Sequence, residues 1–370
     1  MPPLNRLAII GGGLAGISLA YEFSQRGVRC TVFEAESCGG AGASAMSRGI
    51  VRVYDPDPWL MSKALQGLRR WQHLNKGFPG LFVQCGCLYL LKAEQTTTAQ
   101  AALMQLADAG YQAQWLNGPA DIVRCQPLLA NRALPADQCA IWEPEGGYVN
   151  TRLACQVLAQ WARDQGAVIL EGCSVTAIEL QAQQVAVWAL GQGALTFDAL
   201  SFDALILAGG ARSTELLPDT DLFCRSIPLS LLQAGHQPAL AQCLIDETCA
   251  AYLRPEPGGW FFAGGADQID VPHPALLPDL EARVFQQNQQ LAVEILANAD
   301  LTVQGQLSGF DAYRPGFKPL IQTLSATESI GVFTGFSGRG AKYIPALAQE
   351  FAATCLQSVN ERLKTEATHA

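Results

Sequence analysis

The stretch "LAIIGGGLAGISLA", Leu7–Ala20, constrains this chain more than any other. A short apolar run, Leu7–Ile10, passes into a glycine turn, and the turn opens an amphipathic helix that runs to about Gln25. A second strand-like run, "VRCTVFEAE", follows and carries Glu34. This is a βαβ unit with Gly11, Gly13 and Gly16 at G-x-G-x-x-G spacing. Gly11 permits the tight turn, Gly13 lets backbone approach a pyrophosphate, and Gly16 lets helix lie on strand. Leu14 and Ala15 complete the turn into the helix, whose free N–H groups and positive dipole end favour the phosphates. Glu34 stands at the distance expected of a carboxylate that binds a ribose hydroxyl, with Ala35 beside it.

A second glycine turn lies at the other end of the chain, "TGFSGRGAKYIPAL", Thr334–Leu347. It holds Gly338, Arg339, Gly340, Ala341 and Lys342 and also runs into a helical apolar pattern. A third, "FDALILAGGARS", follows a fully apolar run of the kind that forms a buried parallel strand. Between them, "PWLMSKALQGLRRWQHL" and "YVNTRLACQVLAQWARDQ" have helical periodicity, and a long helix is expected over about 278–299. "VTAIEL", "VAVWAL" and "LTF" read as a small antiparallel sheet. Nucleotide-domain pieces at both ends of the chain predict interleaved domains.

Composition excludes several functions. A net charge of −9 argues against nucleic acid. No apolar run approaches the roughly 20 residues of a membrane span, and the N-terminus lacks a signal-peptide pattern. Twelve Cys without a CxxC, and His too scattered to complete a zinc site, read as reduced thiols in a cytoplasmic protein. The closest pair, Cys85 and Cys87 in "VQCGCLYLL", would point the same way on a strand.

The quoted N-terminal unit, together with "GGAGASAMSRGIVRVY", "IWEPEGGYVNTRLACQVLAQWARDQGAVI", "FDALILAGGARS", "AYRPGFKPLI" and "GFSGRGAKYIPAL", resembles the D-amino-acid oxidase-like family of FAD-dependent oxidoreductases. The motifs occur in the family's order across nearly the whole chain. The resemblance implies an α/β (α+β) protein in two parts. A Rossmann-like FAD domain of the glutathione-reductase type would be assembled from 1–80, 141–220 and 305–370. A substrate domain on a mixed or antiparallel sheet would come from 81–140 and 221–304. It places Ser44, Arg48 and Gly49 near the flavin, Val175 against adenine, and Ala208, Gly209 and Gly210 beneath the pyrophosphate.

It also implies amine or amino-acid oxidation, with hydride passing from the substrate carbon to flavin and the imine then hydrolysing. Arg314 of "YRPG" and Lys342 would grip a substrate carboxylate, Arg52 would stand beside the flavin, and Arg339 would reach its pyrimidine edge or the substrate. No Cys lies in "DAYRPGFKP", so FAD is expected to be held non-covalently. The pair of acids in "DPDPW", Asp55 and Asp57, reads as a turn that starts a helix, with a substrate-gating role as the alternative. Two other functions fit the same nucleotide fold: a flavin monooxygenase that hydroxylates an aromatic group, possibly on a partner protein, and a non-catalytic flavoprotein subunit.

Overall fold

The computed structural model describes residues 4–181, 184–191, 200–217, 219–235, 239–298, 300–324 and 328–368. Its first strand, Arg6–Ile10 (β1), has Leu7, Ala8 and Ile9 fully buried, as a strand covered on both faces requires. β1 pairs in parallel with Arg29–Phe33 (β2) on one side and with Ala204–Leu207 on the other. Val168–Leu170 continues the sheet beyond β2, and Ile330–Thr334 continues it in parallel beyond Ala204–Leu207. Leu320–Gln322 closes one edge in antiparallel orientation.

This strand order explains why glycine turns so distant in sequence belong together. Gly11 follows β1, Gly209 follows Ala204–Leu207, and Gly335 follows Ile330–Thr334, so all three turns leave the same carboxyl edge from three adjacent strands. Glu34 leaves that edge from β2. Ligands of open parallel sheets bind along this edge.

Helix Leu14–Ser24 (α1) lies against the helices Thr151–Asp164 and Ile344–Thr368. Gly42–Met46 (α2) is a short helix beyond β2, and Pro58–Gly77 (α3) packs on the C-terminal helix. The turn reading of "DPDPW" accounts for Asp57: it caps α3, its carboxylate accepting from the N–H groups of Trp59 and Leu60, with Pro58 in the first turn.

A nine-stranded mixed sheet forms the second body. Its spine is Phe223–Ala234 paired antiparallel with Leu301–Tyr313 over their whole lengths. Cys87–Leu90 joins it parallel to Cys243–Asp246, and helix Ala282–Leu296 covers one face. The strands Cys139–Glu143 and Leu301–Tyr313 run across the expected borders at 140/141 and 304/305 and hydrogen-bond inside this larger sheet. The expected small antiparallel sheet consists of Cys173–Leu180, Val185–Gly191 and Leu200–Phe202, while the "LTF" run lies outside the described residues. No described helix is long and apolar enough to cross a membrane. All twelve Cys are free thiols, eight of them buried.

Candidate active site

A single cavity of about 780 Å³ runs from the first glycine turn to the last. At the nucleotide end its wall includes Gly11, Gly13, Leu14, Ala15, Glu34, Ala35, Ser44, Val175, Ala208, Gly209 and Gly210. Gly11 has φ +107°, and a Cβ there would lie 2.6 Å from the Ala208 carbonyl oxygen. Gly16 does not line the cavity. It sits behind the turn, where a Cβ would come within 1.9 Å of the Gly11 carbonyl oxygen. Both positions therefore need glycine, one for conformation and one for the close contact of helix and turn.

The neighbouring side chains fix this edge. Glu34 accepts from the Gly12 N–H at 2.6 Å and, through its other oxygen, from the Glu36 N–H at 2.9 Å. Ser44 in α2 accepts from the Leu14 N–H at 2.8 Å, and Thr151 donates to the Ser44 carbonyl at 2.7 Å. A turn that excludes a Cβ at Gly11 and Gly16, ends on a helix N-terminus and carries a carboxylate at its rim has the donor set that a dinucleotide requires. The residues present thus fit FAD.

The opposite end is walled by Arg48, Gly49, Arg52, Gly338, Arg339, Gly340, Ala341 and Lys342, with the face of the large sheet above them. Gly49 (φ +62°) lies so close to the Val149 carbonyl that a Cβ would be 2.1 Å from its oxygen. Arg48 donates to the carbonyls of Ala45 and Met46 and stands over the Phe262 ring at 4.6 Å. Burial, and then Arg254, lower its pKa. Arg52 stacks over Tyr89 at 4.5 Å and donates to the Tyr54 carbonyl. The last turn is bound into the protein rather than free: the Gly338 N–H donates to Asp311 and the Arg339 N–H to the Phe336 carbonyl. The Trp71 indole of α3 donates to the Ala341 carbonyl at 2.7 Å.

Asp55, only 1% exposed, is the hub of this end. It accepts from Lys342 Nζ at 2.7 Å and pairs with Arg339 at 3.4 Å. The segment before it is anchored by buried Glu143, which accepts from the N–H groups of Val53 and Tyr54 and from the Tyr111 hydroxyl. Burial works against the Asp55 carboxylate, but Lys342 and Arg52 outweigh it and hold the pKa below the ordinary value. Lys342 experiences the opposite balance. Burial and then Arg52 bring its pKa down to about 7, against the pull of Asp55. The asymmetry has a simple source: Asp55 faces three cations, whereas Lys342 faces one carboxylate and two like charges.

Arg314, expected to clamp a substrate carboxylate, is placed elsewhere. Its guanidinium forms a bidentate pair with Asp221 at 2.6 and 2.9 Å, and it does not line the cavity. Such a fork is saturated by one carboxylate, and Asp221 supplies it. Three further residues escaped sequence reasoning. Arg225 and Asp311 are directly opposite each other on the paired strands and both line the cavity, and Tyr252 lines it from the next strand but one. Their only sequence signal is alternation along strands of a weakly patterned region.

Comparison with known proteins supports the same picture. The family model described as "FAD dependent oxidoreductase" matches residues 6–354. The chain is 23% identical over 372 residues to 4-methylaminobutanoate oxidase (formaldehyde-forming) of Paenarthrobacter nicotinovorans, covering 95% of this chain and 44% of that protein. It thus spans less than half the length of that relative. It is 24% identical to N-methyl-L-tryptophan oxidase of Yersinia pestis (strain Pestoides F), covering 93% and 92% of the two chains. Among solved structures, L-proline dehydrogenase from P. horikoshii superposes with a TM-score of 0.83 at 20% identity, over 96% of this chain and 94% of that one.

Proposed function

This chain belongs to the FAD-dependent oxidoreductase family, and we propose that it oxidises an amine or amino acid with non-covalently held FAD. The observation that carries this reading is the continuous cavity, with a glycine cradle and Glu34 at one end and a buried charge cluster beneath the large sheet at the other. When bound, FAD supplies the acceptor for a hydride from the substrate carbon that bears the amine.

The chain's own residues have distinct tasks. The Gly11–Gly16 turn and the N-terminus of α1 receive the pyrophosphate, and Glu34 faces the ribose. The nine-stranded sheet roofs the far end with Ile227, Leu229, Tyr252 and Tyr313, which exclude water from the reacting carbon. Arg52, Arg339 and Lys342 line the far end of the cavity and would offer positive charge to the negative charge that FAD gains on reduction, with Asp55 moderating it. Non-covalent attachment is supported by the absence of Cys from residues 305–320. The unbridged cysteines support a reducing compartment such as the cytoplasm.

The names of the relatives, two N-methylamino-acid oxidases and an L-proline dehydrogenase among them, favour small amines or amino acids as substrates. Anaerobic mixing with a panel of amines and amino acids tests the reading. Bleaching of the flavin band by members of the panel is expected. Bleaching by NADH or NADPH alone would instead favour a monooxygenase.

A further inference from the structure

We propose that the substrate carries no carboxylate beside its reacting carbon, and that Asp311 receives its ammonium group. This rests on the amine-oxidising reading above and narrows its substrate class.

An α-carboxylate must meet a cation in a cavity of this kind. The cations at the ring end already have partners. Lys342 and Arg339 share Asp55. Arg225 forms a bidentate pair with Asp270 at 2.6 and 2.7 Å. Arg48 and Arg52 donate to backbone carbonyls, and each lies over an aromatic ring. Arg212 lies two residues beyond the Gly209–Gly210 turn, at the nucleotide end. An incoming carboxylate would have to displace Asp55 from Lys342, leaving a buried anion facing a second one. Like charges at such a distance, away from water, repel strongly.

Asp311 presents the opposite case. The register that sets Arg225 against Asp311 and Ile227 against Gly309 puts these positions on the sheet face that lines the cavity. Its carboxyl accepts only from the N–H groups of Ala312 at 2.7 Å and Gly338 at 3.0 Å. Among the described residues no cation lies within ion-pair distance of it, although Arg225 is its cross-strand neighbour. Burial accordingly raises its pKa to about 6, against the pull of those two N–H groups. Tyr252, Phe310, Tyr313 and Phe317 also line the cavity, and the rings of Tyr313 and Phe317 meet edge to face at 6.3 Å. Arg225 and Arg339 already lie over the Tyr313 and Phe317 rings, at 4.7 and 4.8 Å, so the carboxylate without a counter-ion is itself the receptor for an alkylammonium group. The ring end of the cavity thus holds only partnered cations for a substrate carboxylate and offers an anion without a counter-ion for a substrate amine.

Two measurements on the FAD-loaded protein test this. In the first, tetramethylammonium and butyrate are titrated separately while the flavin spectrum is followed. We expect tetramethylammonium to perturb the spectrum at concentrations about tenfold or more below those butyrate needs. Asp311→Asn should weaken tetramethylammonium by about tenfold, and Asp311→Glu should restore part of that loss. Asp55→Asn, by releasing Arg339, should strengthen butyrate. Tighter binding of butyrate than tetramethylammonium by the unaltered protein would overturn the proposal, even if Asp311→Asn failed to fold.

The second measurement is anaerobic flavin reduction by n-butylamine and by norvaline, which differ in the α-carboxylate. Faster reduction by n-butylamine is expected. Faster reduction by norvaline would overturn this inference and leave amine oxidation standing. Reduction by no amine or amino acid would overturn both.

Discussion

Lys342 is a buried lysine set between two arginines, and that placement makes its charge visible in the protein's stability. Its folded pKa of about 7 lies below the ordinary 10.5. Below the folded value the group is charged in both states, and the full cost of burying that charge is present. Between about 7 and 10.5 the unfolded chain keeps a proton that the folded chain has lost, so stability rises with pH across that window. The slope from this one group reaches about 1.4 kcal/mol per pH unit. Urea unfolding at pH 6.5, 8 and 9.5 should show this rise in the unaltered protein and lose it in Lys342→Met. In Asp55→Asn the rise should begin at lower pH, because Arg52 and Arg339 then act on Lys342 without their counter-ion. At the other end of the cavity, Gly11→Ala forces a Cβ to within 2.6 Å of a carbonyl oxygen at φ +107°. We expect a protein with native-like circular dichroism that no longer retains FAD. Undiminished flavin content would contradict the role given to the turn.

At the scale of elements, α3 has two separable jobs. Its N-terminus is a local matter of Asp57 and Pro58, legible from "DPDPW" alone. Asp57→Ala should cost about 1 kcal/mol and leave the flavin spectrum unchanged. The middle of α3 carries the last glycine turn: a Cβ on Gly67 would lie 1.9 Å from the Lys342 carbonyl oxygen. Gly67→Ala should therefore cost about 1–3 kcal/mol and also shift the flavin spectrum. Equal spectra for the two variants would disprove this division.

Gly67 shows why some of the site escaped sequence reasoning. Inside a helical pattern a glycine gives no clue to what approaches it, and its partner is 275 positions away in the chain. Asp55 is alike in this: its sequence neighbours give no clue to the cations that the fold brings to it. Elements with strong local periodicity, such as α3 and the helix Thr151–Asp164, were readable. The strands that roof the cavity were not, because residue polarity does not follow burial along them: Ser226 and Ser230 of Phe223–Ala234 are buried while Ile227 and Leu231 are only half-buried.

For the whole molecule, the βαβ unit made the nucleotide end legible: spacing, helix start and terminal acid lie within 24 residues, Gly11 to Glu34. The meeting of that end with the turn at 334–347 was implied only by family resemblance. Its physical basis is strand order, which sets β1, Ala204–Leu207 and Ile330–Thr334 side by side so that their turns leave one edge. Arg314 illustrates the limit of such resemblance. A motif carries a residue to the right strand end, but an acid at position 221 decides where its guanidinium points.

We propose, above all, that turns from both ends of the chain hold one FAD. Its most direct test is the flavin content of the purified protein. We expect one FAD per chain, released completely into the supernatant by acid precipitation. A protein that binds no FAD, or that keeps flavin in the precipitate, would contradict the account.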